Sequence, residues 1–178
     1  MKKICTIVDK LAEMVENHVG VAHLLMYRKR FEGWMQVEVV RLLSETGIQE
    51  INVESINRSG AGYYDVSYHD KAGNLWAIEL KVLTNNNPSW DPLKSTPGPM
   101  QRVYEDVNNL NLDANVDHKV VLFVAYPVSH DYVYWQAKLR ELTAKGFFEL
   151  CHREFSLEFR EHRIYGVLYA YSNQANNK

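Results

Sequence analysis

Three ionisable residues lie in two short segments that otherwise have the composition of β-strands. Glu79 and Lys81 interrupt the apolar run 77–83, and Asp65 interrupts the run 63–68. Residues two apart in a strand project from one face, so Glu79 and Lys81 share a face. Burying an unpaired charge is costly, so charges in such a strand indicate an ion pair, a metal ion or a water-filled cleft. A solvent-facing strand with a cross-strand salt bridge is the plainer alternative.

The segment between these strands predicts that Asp65 comes to lie beside Glu79. Residues 70–74, with the sequence DKAGN, have turn chemistry, so the two runs are expected to form a β-hairpin. Two neighbouring carboxylates repel each other unless a cation lies between them, and oxygen ligands suit Mg²⁺ or Mn²⁺. The cluster is therefore predicted to be a metal site.

This pattern, an Asp on one strand and Glu-x-Lys on the next after a Glu-bearing helix, resembles the PD-(D/E)xK superfamily of restriction-endonuclease-like nucleases. The resemblance covers about 31–83, and a helix and strand within 100–125 are compatible with the αβββαβ core of that class. Tyr64 stands where the motif has proline. The resemblance implies an α/β fold with a mixed sheet and a Mg²⁺-dependent nuclease that hydrolyses phosphodiester bonds. It further implies a DNA endonuclease of restriction, defence or effector type, with Mn²⁺ able to substitute.

The same resemblance assigns roles to the candidate residues. Asp65, Glu79 and the backbone carbonyl of Leu80 would hold the metal, and Lys81 would orient or deprotonate the attacking water. Glu38 and Glu32 are candidates for the helix carboxylate and lie about 240° apart around a helix, so they cannot both face one ion. We prefer Glu38 because it lies amid valines, whereas Glu32 could simply favour the helix dipole. Gln36 shares a face with Glu32 and could assist instead.

Substrate contacts are expected on both sides of this cluster. Arg58 lies in the glycine-containing segment 57–62, and Gln101 with Arg102 begins a helix, where an N-terminus favours phosphate. The expected partner is nucleic acid, DNA above all, and the class allows a homodimer. An inactive nuclease-like module that binds nucleic acid or protein is the alternative. A structural α/β protein with a coincidental triad is a third reading.

A second carboxylate-x-Lys triplet serves as a control on the first. Asp117, His118 and Lys119 fit the short pattern, which charged residues at 24% of a chain produce by chance. This triplet stands in a polar stretch before an apolar run, so we interpret it as solvated charge. The seven histidines show no metal-ligand or catalytic spacing in the sequence.

Periodicity and length predict one α/β domain with a mixed sheet over 1–172. Its first 30 residues are expected to form a helical extension, and a polar tail follows over 173–178. Helical spacing is found over about 7–25, 31–45, 100–110 and 131–145, and strand patterns over 51–57, 63–68, 75–83, 120–125, 147–155 and 164–171. The long segment 84–99 contains four prolines and is predicted to be a loop.

Composition limits the environment and the mode of binding. A net charge of −2 excludes binding to nucleic acid through bulk positive charge, so any contact needs a local patch. Cys5 and Cys151 show no zinc-ligand spacing and are expected to be free thiols in a reducing compartment. The charged N-terminal stretch has no signal-peptide core and no transmembrane span, which favours a cytoplasmic location.

Overall fold

The computed structural model describes residues 1–27, 31–56, 63–84, 100–159 and 161–174. Five helices and six strands are assigned there. The helices are α1 (Lys2–Asn17), α2 (Val19–Met26), α3 (Glu32–Glu45), α4 (Gln101–Leu112) and α5 (Val133–Ala144). The strands are β1 (Ile51–Ile56), β2 (Tyr63–His69), β3 (Leu75–Thr84), β4 (His118–Tyr126), β5 (Phe148–Phe159) and β6 (His162–Ser172).

The six strands form one mixed sheet in the order β1-β2-β3-β4-β6-β5. The first three strands run antiparallel, β4 is parallel to β3, and β6 and β5 complete the sheet as antiparallel neighbours. The parallel pair requires a crossover, which α4 provides. This confirms the α/β class with a mixed sheet flanked by helices.

The sheet separates two apolar cores because the side chains of its central strands alternate between faces. Helices α1, α2 and α3 cover one face, where α1 packs closely on β5. Helices α4 and α5 cover the other face. Strand β4 is buried along almost its whole length, as expected for a central strand with both faces covered.

Local sequence explains where several of these elements end. Asp70 accepts the backbone N–H groups of Ala72 and Asn74 at 2.8 and 3.0 Å, which closes the turn between β2 and β3. Gly47 and Gly146 follow α3 and α5 with φ of 82°, a left-handed conformation that glycine adopts without strain. The predicted ends of these two helices are therefore confirmed to within two residues.

The helix predicted over 7–25 is divided in two at His18. His18 has an extended backbone, and its ring Nδ1 accepts the N–H of Val21 at 3.3 Å. A side-chain acceptor at this position caps the start of a new helix. The apolar periodicity runs through the break, so it did not reveal the change of direction.

Cys5 and Cys151 are joined in a disulfide, which corrects the prediction of free thiols. Their Cα atoms are 5.8 Å apart although 146 residues separate them along the chain. Packing of α1 on β5 produces this approach. Sequence spacing could not predict it because the pairing depends on tertiary contact.

Within the described residues, none of the helices combines the length and the apolar character needed to cross a bilayer.

Candidate active site

Glu79 and Lys81 lie on β3 and face the layer formed by α4 and α5. Ala77 and Leu83, which lie an even number of residues from Glu79, belong to the core on that side. The alternate residues Ile78, Leu80 and Val82 belong to the core beneath α3. Glu79 is 9% exposed. The predicted alternation is confirmed, but the Glu79 side is covered rather than open to solvent.

Strands β2 and β3 separate at Asp65. Their pairing runs from His69–Leu75 to Val66–Ile78, and beyond it the Asp65 Oδ2 atom accepts the backbone N–H of Leu80 at 2.7 Å. Gln36 Nε2 donates to the backbone carbonyl of Asp65 at 2.8 Å. The Asp65 carboxylate thus takes the place of a backbone carbonyl as the partner of the Leu80 N–H. This bond and the bond from Gln36 fix the position of Asp65.

Glu32, rather than Glu38, is the helix carboxylate that reaches β3. Glu32 Oε1 accepts the backbone N–H of Val82 at 2.9 Å, next along the same strand edge as the Leu80 amide. Glu38 instead pairs with Arg41 on α3 at 2.7 Å. This placement favours Glu32 over the preferred Glu38, because the charge of Glu38 is balanced by Arg41 within α3. Two carboxylates therefore bind successive amides of an edge that β2 no longer covers.

The Leu80 carbonyl is directed toward the same region. In a strand, the N–H and C=O groups of one residue point to the same side, and the Leu80 N–H points to Asp65. Glu32, Gly33, Gln36, Asp65 and Leu80 line a cavity of about 230 Å³ with one further residue, Glu54. The cavity walls therefore supply carboxylate and backbone oxygens.

Glu54 is a further acidic residue that the sequence did not single out. It lies on β1 between Val53, which pairs with Val66, and Ser55, which pairs with Tyr64. Its φ of 50° lies in the left-handed region, which costs a non-glycine residue about 1–3 kcal/mol. Strain of this kind occurs often where a backbone is shaped to present a side chain.

Asp106 on α4 also belongs to the cluster and was missed. Its Oδ2 atom lies 3.1 Å from Lys81 Nζ, and both side chains are largely buried. Asp106 lies one helical turn from each of Val103 and Leu110, which are buried on the inner face of α4. A charge on that apolar stripe was the signal that could have identified it.

The carboxylates disturb one another's protonation. Burial, followed by the negative charges of Asp65 and Asp106, raises the pKa of Glu79 to about 9. Burial likewise raises the pKa of Asp106 to about 6, against the opposing effect of Lys81. Without a cation, Glu79 therefore keeps its proton at neutral pH.

Lys81 remains a cation in this setting. Burial lowers the pKa of Lys81, but Asp106 and the other nearby carboxylates outweigh that effect and the net pKa is raised. An ammonium group that keeps its proton can hold or orient an anion or a water molecule, but it cannot accept a proton. Of the two roles predicted for Lys81, orientation fits its surroundings.

The predicted substrate contacts are only partly described. Arg58 lies outside the described residues. Gln101 and Arg102 are exposed at the start of α4. Gln101 Nε2 donates a hydrogen bond to Glu105 Oε1 at 3.2 Å. Within the part of the chain that the structure describes, Met100 precedes α4 and its side chain does not cap the first amides of the helix.

The control triplet is more ordered than predicted. Asp117 Oδ2 accepts the N–H of Leu75 at 2.8 Å, and Lys119 is 8% exposed, with Nζ 3.4 Å from the carbonyl of Asn111. The interpretation as solvated charge is therefore wrong for Lys119. These contacts connect β3, β4 and the end of α4, and they give the triplet a structural role.

Comparisons with protein-family models, with curated proteins and with solved structures give no match to this chain.

Proposed function

We propose that this chain is a divalent-metal-dependent nuclease of the PD-(D/E)xK class that hydrolyses phosphodiester bonds, with DNA as its substrate. The observation that carries the proposal is the convergence of Asp65 and Glu79 at the point where two strands separate, with Lys81 on the same strand. The order α3-β1-β2-β3-α4-β4, with β4 parallel to β3, supports the class because it matches the αβββαβ order of its core.

The residues of the cluster fit a hard divalent cation. Asp65, Glu79 and the Leu80 carbonyl offer oxygen ligands, and Glu32 and Glu54 line the same cavity as Asp65. Buried carboxylates so close together hold a proton at neutral pH, and a cation that replaces this proton removes their mutual repulsion. Bound there, Mg²⁺ would polarise the phosphoryl group, lower the pKa of water and stabilise the leaving oxygen.

The chain's own groups account for positioning. Glu32 and Gln36 hold β3 and the backbone of Asp65 in place, and Asp106 holds the Lys81 ammonium. A cationic Lys81 would orient the attacking water and offset the negative charge that develops on the phosphoryl oxygens. The start of α4, with Gln101 and Arg102, would receive a flanking phosphate of the DNA backbone.

The first test is cleavage of supercoiled plasmid by the wild-type protein and by Lys81→Ala, each with Mg²⁺, Mn²⁺ or EDTA. Lys71→Ala, in the exposed turn between β2 and β3, is the matched control for loss of one lysine. We expect metal-dependent nicking by the wild type and the control. Lys81→Ala should lose at least about 100-fold in rate, as typical for removal of one electrostatic group from an active site.

The same assay distinguishes the alternative. If the folded wild type cuts neither single- nor double-stranded DNA or RNA with either metal, the nuclease proposal fails. A nuclease-like module that binds nucleic acid or protein would then be the better account. Cleavage by Lys81→Ala at the wild-type rate would instead remove the active site from this cluster.

A further inference from the structure

A second group of metal-ligand side chains lies at the far end of the sheet from β2. His130 follows β4, and Glu149 and His152 lie on the edge strand β5. One ring nitrogen of each imidazole and one Glu149 oxygen all lie within 4.8 Å of one another. Three strand spacings separate β5 from β3, so this group is about 14 Å or more from Glu79.

We propose that His130, Glu149 and His152 form a binding site for Zn²⁺ or a chemically similar first-row transition-metal ion. Two imidazoles and one carboxylate are ligands that Zn²⁺ accepts, and three protein ligands leave a fourth position for solvent or another group. The ligand types differ from the all-oxygen cluster at Asp65, which suits Mg²⁺. Zn²⁺ binding at these residues does not require the proposed nuclease activity.

The orientation of His130 is determined from the protein interior. Its Nδ1 atom lies 3.1 Å from the hydroxyl of Tyr169, which also accepts the indole N–H of Trp135 at 2.8 Å. Gln136 Nε2 donates to the His130 carbonyl at 2.7 Å and lies 3.2 Å from His130 Nε2. The Tyr169 hydroxyl thus contacts one ring nitrogen of His130, and the Gln136 amide contacts the other. An imidazole in a metal site typically has one nitrogen held by a partner such as the Tyr169 hydroxyl, and the ion would replace the Gln136 contact at the other.

Glu149 is oriented in a comparable way. Its Oε2 accepts the hydroxyl of Tyr171 at 3.0 Å, and Oε1 lies 2.7 Å from His152 Nδ1. Glu154 adds negative charge nearby, because its Oε1 accepts the backbone N–H of His130 at 3.0 Å. A surface ion pair between Glu149 and His152 explains one of these contacts. That ion pair does not explain why buried Tyr169, which is bonded to Trp135, also holds His130 beside Glu149 and His152.

Binding requires only side-chain movement. The rings of His130 and His152 are stacked with centroids 3.7 Å apart and planes 11° apart, so the His152 ring must turn for the two lone pairs to converge. Ligand atoms around Zn²⁺ lie about 3.3 Å apart, given bonds of about 2.0 Å. The side chains of His152 and Glu149 are 34% and 31% exposed, so they can make this adjustment without moving the sheet.

The test is calorimetric titration of Zn²⁺ into the full chain, freed of metal by a chelator and kept without thiols. The background variant Glu79→Gln weakens the carboxylate cluster as a competing site. His152→Ala and Glu149→Gln remove ligands, and Gln at position 149 keeps an oxygen for Tyr171. His162→Ala, an exposed histidine at the start of β6, is the matched control.

We expect one Zn²⁺ per chain with micromolar or tighter affinity in Glu79→Gln and in its combination with His162→Ala. Adding His152→Ala or Glu149→Gln should weaken binding at least about tenfold. Visible absorption of the Co²⁺-substituted protein should change in the His152 variant and not in the His162 variant. Equal Zn²⁺ affinity in all variants, or no binding by folded Glu79→Gln at about 100 µM Zn²⁺, would overturn the proposal. If His152→Ala does not fold, Glu149→Gln decides the outcome.

Discussion

Asp65 Oδ2 accepts the backbone N–H of Leu80 at 2.7 Å, two residues beyond the last pair of the β2–β3 ladder. One carboxylate therefore serves as a structural acceptor and as a candidate metal ligand. Substitutions that keep the acceptor but remove the charge can separate these two roles.

Asp65→Asn should leave the fold intact and abolish metal-dependent cleavage. The Asn carbonyl oxygen can still accept the Leu80 N–H, whereas the neutral side chain is a poorer ligand for Mg²⁺. We expect a loss of at least about 100-fold in nicking rate. Asp65→Ala should in addition lower the free energy of unfolding by about 1–3 kcal/mol, because a partly buried amide loses its partner. Urea unfolding and plasmid nicking measure the two effects, and equal stability of the two variants would contradict this division.

Glu32→Gln and Glu38→Gln form a matched pair on α3. Glu32 contacts β3 and lines the Asp65 cavity, so loss of its charge should reduce nicking at least about tenfold. Glu38 pairs with partly exposed Arg41, so its substitution should change the rate less than twofold and the stability by about 0.5 kcal/mol or less. The reverse order of activities would restore Glu38 as the helix carboxylate.

Stability without metal should fall as pH rises, because of Glu79. In the unfolded chain Glu79 releases its proton near pH 4.5, whereas in the folded protein its pKa is about 9. The folded state binds more protons between these values, so the contribution of Glu79 to the free energy of unfolding decreases across this range. Glu79→Gln should therefore be about 1–2 kcal/mol more stable than the wild type at pH 8.

Thermal unfolding at pH 5 and pH 8, with and without Mg²⁺, provides the measurement. The advantage of Glu79→Gln should be small at pH 5. Mg²⁺ should raise the melting temperature of the wild type at pH 8 and have less effect on the variant, because binding requires the ionised carboxylate. A wild type that is as stable as Glu79→Gln at pH 8 without metal would show that the pKa of Glu79 is not raised in the folded protein.

Loss of the Cys5–Cys151 disulfide should destabilise the protein without changing its active-site chemistry. The link closes a loop of 146 residues and ties α1 to β5, which restricts the unfolded chain. The double variant Cys5→Ser/Cys151→Ser should unfold with a free energy lower by about 2–4 kcal/mol. Thiol reductant should lower the melting temperature of the wild type and leave that of the variant unchanged. An identical response of both proteins to reductant would rule out a stabilising disulfide.

Local pattern was sufficient for the strand part of the candidate site. The two-residue period places Glu79 and Lys81 on one face, and the turn at 70–74 brings Asp65 toward them, because both relations act over short stretches of chain. Local pattern could not choose between Glu32 and Glu38. Helical spacing defines the angle between these residues, but only the packing of α3 against β3 decides which one faces the cluster.

Residue spacing in the sequence could not predict contacts between distant segments. Asp106 meets Lys81 because the crossover places α4 over β3, and Cys151 meets Cys5 because α1 packs on β5. His130, in the segment after β4, stacks on His152 of β5, and Tyr169 of the intervening β6 lies near both rings.

Patterns within the sequence were enough to predict the α/β class, most helices and strands, and the position of Asp65, Glu79 and Lys81 on two neighbouring strands. These follow from periodicity and turn chemistry, which depend on neighbours in the chain. Only tertiary packing sets the order of the strands and the rotation of the helices. That packing brings Glu32 and Asp106 to the candidate active site, joins Cys5 to Cys151, and places His130 beside Glu149 and His152. The physical reason is that burial and electrostatic pairing act through space, and two residues far apart in sequence carry no local signal of the partner that packing gives them.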